Sequence, residues 1–500
     1  LNLTETVLAR AAVDPAKAAI VLEGRTCSFG RLARSVAEHA FLLSRLGIKK
    51  GDRVALQLPK GMEFIYLHLA VLSLGAVTVP LNPAYTAREA GYFLTDAGAS
   101  LFCTDGAGAD RLRGSGAARV PLLLIDGDYP RLLREAAAKA SVPACPTGAD
   151  DPAMICYTSG TTGQPKGAVI THRNLLSNTT ALHRVWRWTD RDVLLHVLPL
   201  FHVHGLCVAL HGSLCAGSTV IMHGRFEAAR VWRDIAAQKC TMFMGVPTIY
   251  QRLVNESGGL VPDLTSMRVF ISGSAPLGEG LFRRFEDLTG FRILERYGMT
   301  EAQMIASNPY EPERRIPGSV GYPLPGVAVR ISGENGREAE EGERGEVWVS
   351  GENVFQGYWH RPEETAGCRD GPWFRTGDLG YRDPRDRGRL YLVGRAGELV
   401  ISGGLNVYPK EVEKVLESHV AVLEAAVTGL PDEDLGERVV AAVVAVAGKA
   451  VTPPELIEHC RTCLAGYKCP KEVFLLPELP RNTMGKVQKQ VLRQMLAERA

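Results

Sequence analysis

Residues 153–171 read Ala153-Met154-Ile155-Cys156-Tyr157-Thr158-Ser159-Gly160-Thr161-Thr162-Gly163-Gln164-Pro165-Lys166-Gly167-Ala168-Val169-Ile170-Thr171. An apolar run with strand character (153–157) enters a polar loop, and a second strand-like run (168–171) leaves it. Glycines let a backbone approach a ligand closely, and the hydroxyls of Thr158, Ser159, Thr161 and Thr162 join Lys166 as donors suited to phosphate oxygens. A plain hairpin turn needs neither this length nor so many hydroxyls. A Walker A loop is a poor match, because it requires Gly directly before its Lys and a hydroxyl residue after it, whereas Pro165 and Gly167 stand there.

On both sides of the loop the chain alternates helix-like and strand-like segments. A helix is expected over 29–46, ended by Gly47, and strands over 53–58, 101–104 and 120–125. Downstream come helices over 173–186 and 227–238 and strands over 219–222, 242–245 and 268–272. This rhythm implies βαβ units and layered, mostly parallel sheets. From 327 to 393 short strands with Gly-rich turns replace it, as in a small β-barrel-like subdomain. After Gly394 a compact α+β segment follows, with a helix over 410–418, strands over 424–428 and 439–445, and a closing helix from Val487. The expected fold class is α/β, with an N-terminal domain over 1–394 and a small C-terminal domain over 395–500.

Bulk properties narrow the function classes. The 500 residues are enough for several folding units, and 46% of them are apolar. Lys and Arg (57) nearly balance Asp and Glu (55), leaving +2, too weak a field to make nucleic acid or anionic lipid the main partner. Eleven cysteines fit free thiols in a reducing compartment. The set Cys460, Cys463 and Cys469 beside His459 lacks a second ligand pair for zinc and reads as buried structural thiols. Residues 64–87 and 193–224 are uncharged enough to raise a membrane question. The first is broken by Gly75, Pro80 and Pro83, the second by His196, His202, His204, His211 and Pro199, so no membrane span is expected. The expected location is cytoplasmic, or an organellar matrix if a leader was removed before Leu1, and the expected state a monomer or weak homo-oligomer.

Further along the chain come Leu198-Pro199-Leu200-Phe201-His202, Gly273-Ser274-Ala275-Pro276, Arg296-Tyr297-Gly298-Met299-Thr300-Glu301, Thr376-Gly377-Asp378, Gly394-Arg395, Ser402-Gly403-Gly404 and Pro480-Arg481-Asn482-Thr483-Met484-Gly485-Lys486. With the loop 157–167, these stand in the order found in the acyl-adenylate-forming superfamily of acyl-CoA synthetases, luciferases and peptide-synthetase adenylation domains, which the chain resembles over essentially its whole length. The resemblance implies ATP, Mg²⁺ and coenzyme A as cofactors and co-substrate. Tyr297 and Gly298 are expected as an adenine platform, with Gly273 to Pro276 on its other side. Thr300 is expected at the α-phosphate, and Glu301 offers the hard oxygen that Mg²⁺ prefers. Asp378, in a tight turn, is expected on the ribose, and Arg395 on ribose or phosphate. A turn-capping Asp378 and a solvent-facing Glu301 are the plainer alternatives.

Lys486 is the expected catalytic residue, contacting α-phosphate and carboxylate during adenylation; a fixed ammonium stabilises the charge as the carboxylate attacks phosphorus. The family's C-terminal domain swings about the residues after the arginine, which withdraws this lysine and admits the thiol. The usual pivot is Asp or Lys, but this chain has Gly397, and Gly403 and Gly404 are expected along the thiol's approach.

Arg296 discriminates among acids. A buried guanidinium beside an acyl pocket is costly without an anion to meet it. The tract 295–301, with 307–310, 317–321 and 201–206, is similar to malonyl-CoA synthetases. That likeness implies that Arg296, His202 and Ser274 hold the distal carboxylate of malonate or methylmalonate; His204 reads as structural. Pairing of Arg296 with Glu295 or Glu301 is the competing explanation. The expected activity is ATP-dependent ligation of a short dicarboxylic acid to coenzyme A. Activation of another small acid, loading of a carrier protein, and a silent nucleotide-binding scaffold are the rivals.

Overall fold

A computed structural model describes residues 2–112, 120–137, 147–158, 164–333, 336–386, 388–403, 405–482 and 485–499. Ser159, Gly160, Thr161, Thr162, Gly163 and Gly404 lie outside the described residues, as do Thr483 and Met484.

Among the described residues, three sheets build the large N-terminal domain. One has nine strands and is parallel through its centre: Leu294–Met299, Val269–Ser272, Met242–Gly245, Val193–His196, Thr219–Met222 and Ala18–Leu22 lie side by side in that order. The central strands are buried along their whole length, which explains their near-continuous apolar reading. A second, seven-stranded sheet carries the strands expected around the polar loop, now Pro152–Thr158 and Lys166–Thr171, paired antiparallel. No connection separates the latter from the helix His172–Val185. Thr171 caps it by accepting from Asn174 N at 3.2 Å, while Asn174 Oδ1 accepts from Thr171 N at 2.8 Å.

The third sheet, Val327–Ser332, Gly345–Gly351, Trp373–Asp383, Arg369–Asp370 and Arg389–Arg395, is antiparallel, as the short strands imply. Asp378 therefore lies within an eleven-residue strand rather than in a tight turn. The left-handed backbone of Gly377 (φ 72°) accounts for the turn-like sequence.

The smaller C-terminal domain has its own sheet, formed by Val400–Ser402, Leu405–Val407, Val422–Asp432, Gly436–Ala445 and Glu472–Leu475. The helices Pro409–Glu417 and Pro453–Cys463 share one apolar cluster with it, and Lys489–Ala497 packs into another. Among the described residues no ladder joins this sheet to the others. Cys460 and Cys469 are buried as expected, whereas Cys463 is exposed. No His, Cys, Asp and Glu group suited to a metal ion occurs among the described residues. Within them, too, no helix is long and apolar enough to cross a membrane. Residues 193–224 fold as a strand, the buried π-helix His204–His211, a short helix and another strand.

Candidate active site

The sequence of the strand Leu294–Met299 places two charges side by side, and strand geometry sends consecutive side chains to opposite faces. Arg296, only 3% exposed, lies flat against Gly273. A Cβ there would stand 2.4 Å from Cζ and 2.5 Å from Nε, so only glycine leaves room for the guanidinium. Its Nε and Nη2 have no hydrogen-bond partner among the described residues, and it takes part in no ion pair there. Burial lowers its pKa to about 9. Glu295 turns away and accepts from Leu277 N at 2.9 Å, and Glu301 serves Tyr358 instead, so neither pairs with Arg296. Gly273 thus gives the guanidinium the room it occupies.

Imidazoles complete this wall. Ser274 holds a left-handed conformation (φ 70°), unusual outside glycine, and its Oγ lies 3.2 Å from Nδ1 of buried His204. Burial, then Arg296, keeps the pKa of His204 far below its ordinary value. His202 is pushed down to about 3 by burial and by Lys486. Both rings are neutral at pH 7, and their Nε2 atoms have no partner among the described residues. The sequence assigned His204 to structure, but its neighbours are Ser274 and Arg296. The signal was its two-residue spacing from His202. The ring is carried by the π-helix, whose Gly205 sits so near Pro199 that a Cβ would meet the carbonyl oxygen. Met244 and Val246 are buried in an apolar cluster with Leu198, Val208 and Ile271.

Asp378 is paired on both oxygens. The Tyr297 hydroxyl donates to Asp378 Oδ2 at 2.5 Å, and Arg395 Nε lies 3.0 Å from Oδ1 of the same carboxylate. Asp378 and Arg395 are also register partners on adjacent strands. Tyr297 is buried, so little of its ring is open to a base. Glu301 is 6% exposed, accepts from Tyr358 Oη at 3.0 Å and forms no ion pair among the described residues. A buried, unpaired carboxylate fits a hard divalent cation. Lys166 Nζ stands 5.3 Å from the centre of the Tyr358 ring. Tyr358 thereby bridges the polar loop to Glu301, a part the sequence reading missed because an isolated Gly-Tyr pair carries no chemical signal.

Lys486 comes from the C-terminal domain. Gly485 before it is left-handed (φ 74°), and a Cβ there would lie 2.7 Å from Thr248 Oγ1, on the N-terminal helix Pro247–Glu256. Lys486 N donates to Asn482 Oδ1 at 3.0 Å. The residue keeps an exposed flank, yet burial of its ammonium and the field of Arg395 lower its pKa, with Asp378 and Glu301 acting the other way and Arg296 adding to the decrease. The one turn thus brings Lys486 among the charges of both walls. Thr300 follows them on the same segment, whereas Gly403 bonds within its own domain, from its N to Leu435 O at 2.8 Å.

Residues 7–359 match the AMP-binding enzyme model, and residues 411–486 match the model of the AMP-binding enzyme C-terminal domain. The chain belongs to the AMP-binding enzyme family. Within that family it is an acid–thiol ligase working through an acyl-adenylate. It is 38% identical to a sulfoacetate–CoA ligase of Cupriavidus necator, over 98% of this chain and 96% of that one. It is 39% identical to the mitochondrial malonate–CoA ligase ACSF3 of Mus musculus, over 90% and 83%. The crystal structure of ATP-bound MatB from Rhodopseudomonas palustris superposes with a TM-score of 0.92 at 42% identity, covering 99% of each chain.

Proposed function

We propose that this AMP-binding enzyme ligates a short dicarboxylic acid, malonate before methylmalonate, to coenzyme A with release of AMP and pyrophosphate. The observation that carries the reading is the buried Arg296 guanidinium, which has two unpartnered nitrogens and no protein anion among the described residues. One end of a two-headed acid satisfies it, flanked by Ser274, His202 and His204, while the other end faces Lys486. The neutral imidazoles add hydrogen-bonding capacity without charge, so the pocket supports one distal anion.

On the nucleotide side, Asp378 receives the ribose and Arg395 supports it, while Thr300 and Lys486 address the α-phosphate. Lys166 and the hydroxyls of the polar loop receive the outer phosphates. Glu301 would hold Mg²⁺, which supplies charge neutralisation along the phosphates. The carboxylate attacks the α-phosphorus, the bond to pyrophosphate breaks, and the thiol then displaces AMP from the mixed anhydride.

Pyrophosphate release, measured with malonate, methylmalonate, succinate, sulfoacetate and butyrate, tests the reading. Malonate is expected to lead and butyrate to trail; a profile led by butyrate overturns it. Sulfoacetate is the second reading, favoured because a sulfonate also satisfies Arg296 and because of the Cupriavidus necator relative. Substituting a carrier protein for free coenzyme A as thiol acceptor separates the ligase from a carrier-loading enzyme.

A further inference from the structure

The wall that carries His204 is supported from the other sheet. Lys60 lies in the turn between the strand Arg53–Leu56 of the seven-stranded sheet and the helix Met62–Ser73. Its side chain crosses to His196, the last residue of the strand Val193–His196 in the nine-stranded sheet. Lys60 Nζ stands 2.9 Å from His196 Nδ1 and donates to His196 O at 2.9 Å. His196 is buried, and its other ring nitrogen, Nε2, lies 2.8 Å from Gly205 O.

These contacts fix where the protons sit. A carbonyl oxygen only accepts, so His196 Nε2 carries the ring hydrogen and Nδ1 of the neutral imidazole is the acceptor. Lys60 therefore donates to Nδ1. Its two bonds need two N–H groups, which an amine and an ammonium both possess. Burial, then the field of Lys60, keeps the pKa of His196 far below its ordinary value, so the ring is neutral at pH 7. Gly205 stands directly after His204 in the first turn of the π-helix His204–His211. The carbonyl of His202 accepts from Leu206 N in the same turn at 2.8 Å. Turns of this kind are rare and recur at functional sites. Two hydrogen bonds thus run from Lys60, through a ring of fixed tautomer, to the peptide beside His204.

We propose that Lys60 is a positioning residue for the acid pocket: through His196 it holds the first π-helical turn so that His204 keeps its place against Ser274. It acts on the fit of the acid and not on the nucleotide. The inference rests on the reading of that wall as the acid pocket.

The test uses the full chain. Lys60→Met keeps an unbranched stem, removes the donor and leaves His196 Nδ1 buried without its partner. For whichever two-headed acid of the panel turns over fastest, kcat/KM is expected to fall about tenfold, the scale of one buried unsatisfied acceptor. The loss is expected in KM for that acid, with KM for ATP and turnover of butyrate as in the parent. In a His204→Gln background the same substitution is expected to cost nothing further, because its effect passes through that ring. Unchanged kinetics, a loss shared by ATP and butyrate, or additive losses in the double variant overturn the proposal. An NMR spectrum of the parent chain carrying isotope-labelled histidine adds a test that does not depend on how the variant folds. His196 is expected to be neutral with its proton on Nε2, and a proton on Nδ1 overturns the proposal. Arg296→Ala run alongside distinguishes the failures. If it leaves the preference over butyrate intact, the reading of the acid wall falls; if it abolishes that preference while Lys60→Met does not weaken it, only the role of Lys60 falls.

Discussion

The two walls of the cleft treat charge in opposite ways. Asp378 is satisfied on both oxygens: Tyr297 donates to one and Arg395 meets the other. Around Arg296 buried polar atoms have no partner among the described residues: Nε and Nη2 of the guanidinium and Nε2 of His202 and His204. A satisfied network is rigid before a ligand arrives, which suits the nucleotide role proposed for it. An unsatisfied buried cation costs stability and recovers it when an anion enters, which is why the proposed function assigns the choice of acid to that wall. On the proposed reading, the contrast places the choice of acid at the buried polar atoms that the protein leaves unsolvated.

The strongest way to break the comparison is to remove the cation that spans both walls. Lys486→Ala is expected to reduce adenylation by ~10²–10³, measured as pyrophosphate release, while supplied malonyl-adenylate still yields thioester. Equal loss in both steps would show that the lysine serves docking instead. Arg296→Ala is expected to lower kcat/KM for malonate by ~10–150-fold, the worth of a charge-assisted hydrogen bond, with little change for butyrate. Parallel losses would move Arg296 to the nucleotide wall.

A gentler disturbance is Gly273→Ala, whose methyl displaces the guanidinium without removing it. About a tenfold loss of preference for malonate over butyrate is expected, a fraction of the full charge-assisted contribution; an unchanged preference would show that Arg296 does not act from this position. pH sharpens the contrast further. Because Arg296 sits near 9, the KM for malonate is expected to rise above that pH as the guanidinium loses its proton, and the KM for ATP to stay level. The smallest effect concerns the buried histidines. His39 is pushed to about 4 and His68 to about 3 by burial. The unfolded chain binds protons below pH ~6.5 that these folded rings refuse, so stability is lost progressively from there down to about 3. Melting temperatures recorded from pH 7.5 to 5 are expected to fall; a flat profile contradicts the assignment.

Local pattern explains which features were legible beforehand. Strands such as Leu101–Thr104, Thr219–Met222 and Met242–Gly245 coincide with their sequence-based bounds, because short buried apolar runs between turn residues have few other uses. The helix Phe29–Arg45 was equally readable from its apolar period and Gly47. Asp378 was not: Gly377 reads as a turn, yet long-range pairing with Arg389–Arg395 draws it into a strand. His204 and Tyr358 were missed for a related reason, since their partners Ser274 and Glu301 lie 70 and 57 residues away.

By itself, then, the amino-acid order determined the alternating sheet architecture, the polar loop, the run of motifs and the presence of a cation before Tyr297. Those depend on side-chain period and neighbours along the chain. Only the tertiary structure decided that this cation has no protein anion beside it among the described residues, and that Gly273 is its bed. Each of those is a matter of solvation and distance between residues that the backbone keeps far apart until it folds.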